Sequence, residues 1–235
     1  MLSDLDLLGS IEVYTVDPSL RIVVITGLVA LAAVGIDLVW RQARNVITIV
    51  HEGGHAVAAV LTGRRLTGIR LHSDTSGLTL SVGKRTGPGM IVTAAAGYLA
   101  PALVGLAGVI LLAYDQITVM LWTAVAILGL MLVMVRNVYG ALSLVLVGGV
   151  VLAVSLRANA DVQSAFGYGM TWFLLLGSVR PVIELQRHRR RQPGSNSDAD
   201  QLGRLTRLPA VMWVGFFFAV TCAAAAGGTW LLLVA

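Results

Sequence analysis

Ile49-Val50-His51-Glu52-Gly53-Gly54-His55-Ala56-Val57-Ala58-Ala59-Val60 sets two histidines and a glutamate into a run that is otherwise apolar or glycine. Residues four apart lie one above the other on a helix, so His51 and His55 can turn both imidazoles toward one ion. Glu52 then falls beside that ion. Two histidines and a third protein ligand leave zinc an open position for water, whose pKa falls toward ~7, and a nearby carboxylate can take its proton. The pattern predicts a zinc site with the chemistry of peptide-bond hydrolysis. A chance match of three residues is the bland alternative. The apolar flanks weigh against it, because ionisable groups inside a membrane helix are costly and functional by default.

Working outward, composition settles the broad class. The 235 residues are 57% hydrophobic and 12% charged, with a mean hydropathy of +0.83, against about 25% charged residues in a soluble domain. This predicts an all-α polytopic membrane protein, one membrane-embedded domain over residues 1–235. Apolar runs near the ~20 residues needed to span a bilayer predict about seven transmembrane helices, at 20–39, 45–62, 90–113, 118–135, 138–156, 165–185 and 209–234. Ahead of the first run lies an acidic amphiphilic stretch (Asp4, Asp6, Glu12, Asp17), without a basic leader or a small-residue cleavage site. A cleaved signal peptide is not expected. The single Cys222 can form no internal disulfide and reads as a small packing residue.

The net charge of +5 reflects membrane topology rather than nucleic-acid binding. Basic residues gather in alternate loops, as the positive-inside rule expects. With the loop holding Arg187, Arg189, Arg190 and Arg191 in the cytoplasm, alternation through seven spans also puts Arg64, Arg65, Arg70, Lys84, Arg85 and Arg136 inside. Arg41, Arg44 and Arg157 fall outside, the N-terminus is cytoplasmic and the C-terminus external. The expected location is the plasma membrane, with the site opening toward the cytoplasm. The arginine run adds some affinity for anionic lipid. Residues 186–208, with Gln192-Pro193-Gly194-Ser195-Asn196-Ser197 at their centre, read as a flexible cytoplasmic loop.

After the zinc helix the period changes. Residues 66–71 and 78–82 read as two short strands joined by the turn formers Ser73-Asp74-Thr75-Ser76-Gly77, a small β-hairpin. Its edge offers an extended peptide a place to add as a strand. The alternative is an ordinary connecting hairpin. His72 reads as a solvated turn residue rather than a ligand.

These residues resemble the site-2 proteases, zinc metalloproteases that cut substrates within or near the membrane. The motif His51-Glu52-Gly53-Gly54-His55 matches that family's two histidine ligands and catalytic glutamate, and Gly54 stands where many members also carry glycine. The chain looks most like the compact bacterial members, without room for a PDZ or nucleotide-sensing domain. Many members take the third ligand from a Leu-Asp-Gly motif, and no Asp-Gly pair occurs here. Asp198, in Ser197-Asp198-Ala199-Asp200-Gln201-Leu202, resembles the segment found at this place in compact relatives. Asp200 and Asp37 are the alternatives. An aspartate ahead of an apolar-periodic run is also an ordinary helix cap, and the Asp198 segment must dip back into the bundle to reach the zinc helix. Asp37 is expected near the outer end of the first helix.

Asn137, beside Arg136 in a long apolar stretch, is a candidate to donate to the scissile carbonyl as charge develops there. The competing reading is a helix boundary with Arg136 snorkelling to the interface. Gly97-Tyr98-Leu99-Ala100-Pro101 reads as close packing and a kink. The resulting expectation is a zinc endopeptidase acting on single-span membrane proteins, with membrane lipid as its other partner and no nucleic acid. A metal carrier using His51 and His55 as a transit site, or a non-cutting relative that binds membrane partners, are the alternatives.

Overall fold

The computed structural model describes residues 20–191 and 196–234. The acidic stretch ahead of residue 20, the N-terminus placed by topology, and Gln192–Ser195 of the expected flexible loop lie outside the described residues. The chain forms α1 (Leu20–Gly35), α2 (Asp37–Leu61), β1 (Arg65–Leu71), β2 (Gly77–Val82), α3 (Pro88–Ala113), α4 (Ile117–Met134) and α5 (Val138–Arg157). It continues with α6 (Ala160–Gly177), α7 (Val179–Arg191), α8 (Asp198–Thr206) and α9 (Ala210–Val234).

Four helices, α3, α4, α5 and α9, are each long and apolar enough to cross a membrane. The pair α1 and α2 makes a fifth crossing only if taken as one broken span, bent by 102°. Seven separate spans do not meet that test. The run expected as one helix over 165–185 divides at Ser178 into α6 and α7. α6 opens on Asp161, Gln163 and Ser164, and most of its residues are buried. It is the central post of the bundle.

The first two helices depart furthest from expectation. The Val23 carbonyl accepts from Trp172 Nε1 at 3.0 Å, and the Val34 carbonyl accepts from the Arg180 guanidinium. These rungs run in the same order along α1 and along α6 and the start of α7, so α1 lies parallel to α6. The bend at Ile36 then starts α2 beside the α6–α7 junction. Asp37, expected at the opposite end, instead pairs with Arg180. Arg180 also bonds Glu184 at 3.2 Å and lies 5.0 Å from the Trp40 ring centroid. Trp40 Nε1 in turn donates to Glu184 Oε1 at 2.8 Å. This network ties α2 to α7.

The second half of α2 runs antiparallel to α3 at backbone contact. A methyl group at Gly54 would clash with Ala100 Cβ and stand 2.9 Å from the Ala96 carbonyl, while Gly89 faces Thr62 further along. Only glycine admits that approach.

β1 and β2 pair antiparallel, Ile69 with Thr79 and Leu71 with Gly77. On the far side of β1, Val135 bridges Ile69 and the Arg136 amide donates to the Ile69 carbonyl at 2.8 Å. β1 is therefore flanked on both sides. Its Ile69 and Leu71 are fully buried in a cluster with Ile49, Met131 and Leu144. Along β2 the usual amphipathic order is reversed: Leu78, Leu80 and Val82 are exposed, and Gly77, Thr79 and Ser81 turn inward.

The expected loop over 186–208 is largely helical. α7 reaches Arg191, and α8 begins with a capping box in which Ser197 and Asp200 satisfy each other's backbone amides. Ala199 and Leu202, three apart on one face, are fully buried with Val182 and Phe217. That apolar stripe folds the segment back against α3 and α9.

Candidate metal centre

α2 presents His51 and His55 on one face, with Nε2 atoms 3.1 Å apart. α8 supplies the third group, Asp198 Oδ2, which lies 3.3 Å from each of those nitrogens. Ligands at about 2.0–2.1 Å from a tetrahedral zinc are separated by roughly 3.3 Å. The three donors thus have the spacing of one face of such a tetrahedron, and His51, His55 and Asp198 would together hold the ion against the cavity they line. Among the described residues these three form the group with metal-ligand spacing.

The donors are also oriented by their surroundings. His55 Nδ1 is 2.7 Å from the Thr93 carbonyl, which can only accept, so Nδ1 carries a proton and Nε2 is the nitrogen turned toward the site. Asp198 stands at the first position of α8, where the helix dipole favours a carboxylate. Burial opposes its ionisation, but His55 and His51 outweigh that and hold the carboxyl below its ordinary range. Behind the imidazoles sits Gly97 of α3, where a methyl group would overlap His55 Nε2 and stand 2.7 Å from His51 Cε1. Tyr98 meets the His51 ring edge-on at 4.7 Å and stacks on the fully buried Phe217.

Glu52 is 3% exposed and shares the cavity with both histidines. Thr79 Oγ1 is 2.6 Å from Glu52 Oε2 and 3.1 Å from the Glu52 carbonyl. Its single proton goes to the nearer acceptor, Glu52 Oε2. Gly77 passes so close over the other carboxylate oxygen that a side chain there would overlap it. The hairpin thus covers and orients Glu52. The cavity, of about 450 Å³, is walled by Arg44 and Thr48 of α2, by residues 75–79 and Ser81, by Met90 and Thr93 of α3, and by Ser197 and Gln201.

The other candidates fall elsewhere. Asp200 is bound into the α8 cap and pairs with Arg189 at 3.0 Å. Asp37 stays with Arg180. Asn137 does not line the cavity; its amide donates to the Leu71 carbonyl at 2.6 Å and accepts from the Leu71 amide at 3.2 Å. His72 is exposed in the hairpin turn, 3.3 Å from Ser76 Oγ. Thr79, Gly77, Thr93, Gly97 and Tyr98 are the residues that motif reading missed. The sequence signal for the first two was the period of two along β2, which groups Gly77, Thr79 and Ser81 on one face. For Thr93 no side-chain signal existed, since its carbonyl makes the contact.

A bundle of membrane-crossing helices with a two-histidine, one-carboxylate face beside a buried glutamate has the make-up of a membrane metallopeptidase. Residues 24–228 match the Peptidase M50B-like family, and the chain belongs to that family of site-2 proteases. No curated protein and no solved structure matches the chain.

Proposed function

We propose that the chain is an intramembrane zinc endopeptidase that cleaves membrane-embedded, single-span proteins. The observation that carries this reading is the triangle of His51, His55 and Asp198, with edges of 3.1, 3.3 and 3.3 Å, next to a buried glutamate held by Thr79. Zinc, when bound, supplies Lewis acidity: it lowers the pKa of water at its open position and polarises a carbonyl. Glu52 takes the proton from the attacking water and returns it to the leaving amine. Thr79 fixes one oxygen of Glu52 and leaves the group's rotation little freedom.

The substrate is held extended along β2. Alternation in the antiparallel ladder turns the amides and carbonyls of Gly77 and Thr79 away from β1, and β1 is already flanked by residues 135–137. A peptide added on that edge lies across the mouth of the cavity beside Glu52. Asn137 serves the site at one remove, by clamping β1.

The protein sits in the plasma membrane as a multi-pass chain with the site open to the cytoplasm. The hairpin, the 135–137 segment and the C-terminal end of α7 carry Arg64, Arg65, Arg70, Arg136, Arg187, Arg189, Arg190 and Arg191 toward one end, and the α1–α2 bend brings Arg41 and Arg44 toward them. The positive-inside rule makes that end cytoplasmic.

Glu52→Gln tests the reading. In liposomes holding a single-span reporter, the variant is expected to fold, to keep about one zinc per chain and to cleave 10²–10⁴-fold more slowly, as for loss of a general base. Cleavage at the wild-type rate would refute it.

A further inference from the structure

A second cavity, of about 360 Å³, lies between α7 and α9, away from the metal centre. Its walls are apolar at one end, where Ile183 of α7 faces Val211, Val214 and Phe218 of α9, and Gln186 lies beside them on α7. Three of these, Ile183, Val211 and Phe218, are exposed, so the trough opens on the face where α9 meets the hydrocarbon. At Gly215 an added methyl group would meet nothing within 4 Å, which leaves the trough open there.

The lining is graded along its length. α7 and α9 run antiparallel, since α9 descends from the end that α7 reaches. Val182, deep in the trough, packs in the cluster of Val214 and Phe217. One to two turns further along α7, Arg187 and Arg190 line the other end. Both are exposed, and neither has an acidic partner among the described residues. Their neighbour Arg189, by contrast, is engaged by Asp200. Positions three apart lie on one face of a helix, so the two guanidiniums can reach a single anion at that end. Two cations at the mouth of an apolar trough match a phosphate followed by an acyl chain.

We infer that the α7–α9 groove binds one anionic glycerophospholipid, its phosphate on Arg187 and Arg190 and an acyl chain along Val211, Val214 and Phe218. The site stands on its own residues and does not depend on the proteolytic reading. A bound lipid would brace α7, which carries Arg180 and Glu184, against α9.

The test uses full-length protein in nanodiscs of phosphatidylcholine containing a minor share of phosphatidylglycerol, with lipid retained after delipidating wash counted by native mass spectrometry. Wild type is expected to keep one phosphatidylglycerol per chain. The Arg187→Gln/Arg190→Gln variant should keep about 30-fold less, the worth of two cations at an anionic headgroup. Gly215→Leu, which fills the trough without touching the arginines, should keep about tenfold less, equivalent to roughly two buried methylenes. Glycerol phosphate added at millimolar concentration should not displace the lipid, because it lacks the chain. Equal retention of phosphatidylcholine, or unchanged retention in either variant, would overturn the inference. So would a stable dimer that buries the α7–α9 face.

Discussion

At Gly97 a single methyl group would drive into both imidazoles of the candidate metal centre, so this position shapes the site without offering it an atom. Gly97→Ala must tilt His55 off its Thr93 carbonyl or push α2 from α3. Loss of an outer-shell partner commonly costs 10–100-fold in metal affinity, and a loss of that size is expected here. Asp198→Ala, which removes a donor outright, should abolish retention of zinc, while Asp37→Ala should leave it at the wild-type level, since Asp37 serves only the Arg180 network. Competition with a chelating dye measures all three. Wild-type affinity in Gly97→Ala, or zinc loss in Asp37→Ala, would contradict these assignments. The same logic applies to Thr79 and Gly77, one a donor to Glu52 and the other an absence of side chain above it.

At the scale of elements, the hairpin is held by an amide that imitates a strand. Asn137 satisfies both backbone groups of Leu71, and Arg136 covers Gly68, where a side chain would come within 2.5 Å of its Cγ. The α4–α5 link thus fixes the hairpin over Glu52. Asn137→Leu would strand a buried donor and a buried acceptor on Leu71, at roughly 1–3 kcal/mol each. The expected outcome is a lower thermal midpoint and slower cleavage with zinc content unchanged. Wild-type cleavage and stability would show that the clamp does not matter. The two-residue interruption Arg136-Asn137 announced a helix boundary in the sequence. What its amide would bond to was not legible, because Leu71 is 66 residues away and only the fold brings them together.

For the molecule as a whole, the bend between α1 and α2 changes the topology more than any other feature. Alternation through seven spans puts Arg41 on the side of Arg157; the parallel packing of α1 on α6 puts it with the hairpin. In a Cys222→Ser background, cysteines at Arg41 and Ser76 should react with an impermeant maleimide from the same side of oriented vesicles, and one at Arg157 from the other. Labelling of Arg41→Cys together with Arg157→Cys would restore the seven-span order. By itself the sequence determined the membrane class, the helical placement of His51, Glu52 and His55, the hairpin after them and the candidacy of Asp198. The first three rest on composition or on a fixed local period, properties carried by neighbours in the chain, and the candidacy of Asp198 rests on the resemblance of its segment to that of compact site-2 proteases. Only the tertiary structure sets Asp198, rather than Asp200 or Asp37, beside His51 and His55: Asp200 shares α8 but is turned into its cap and onto Arg189, and Asp37 stands at the far end of α2 against Arg180. It alone turned β2 inward by its polar face, laid α1 along α6, and brought the Thr93 carbonyl and Gly97 behind the imidazoles. Those contacts join residues far apart in sequence, and burial of Ile69, Leu71, Ala199, Leu202 and Trp172 is what draws them together.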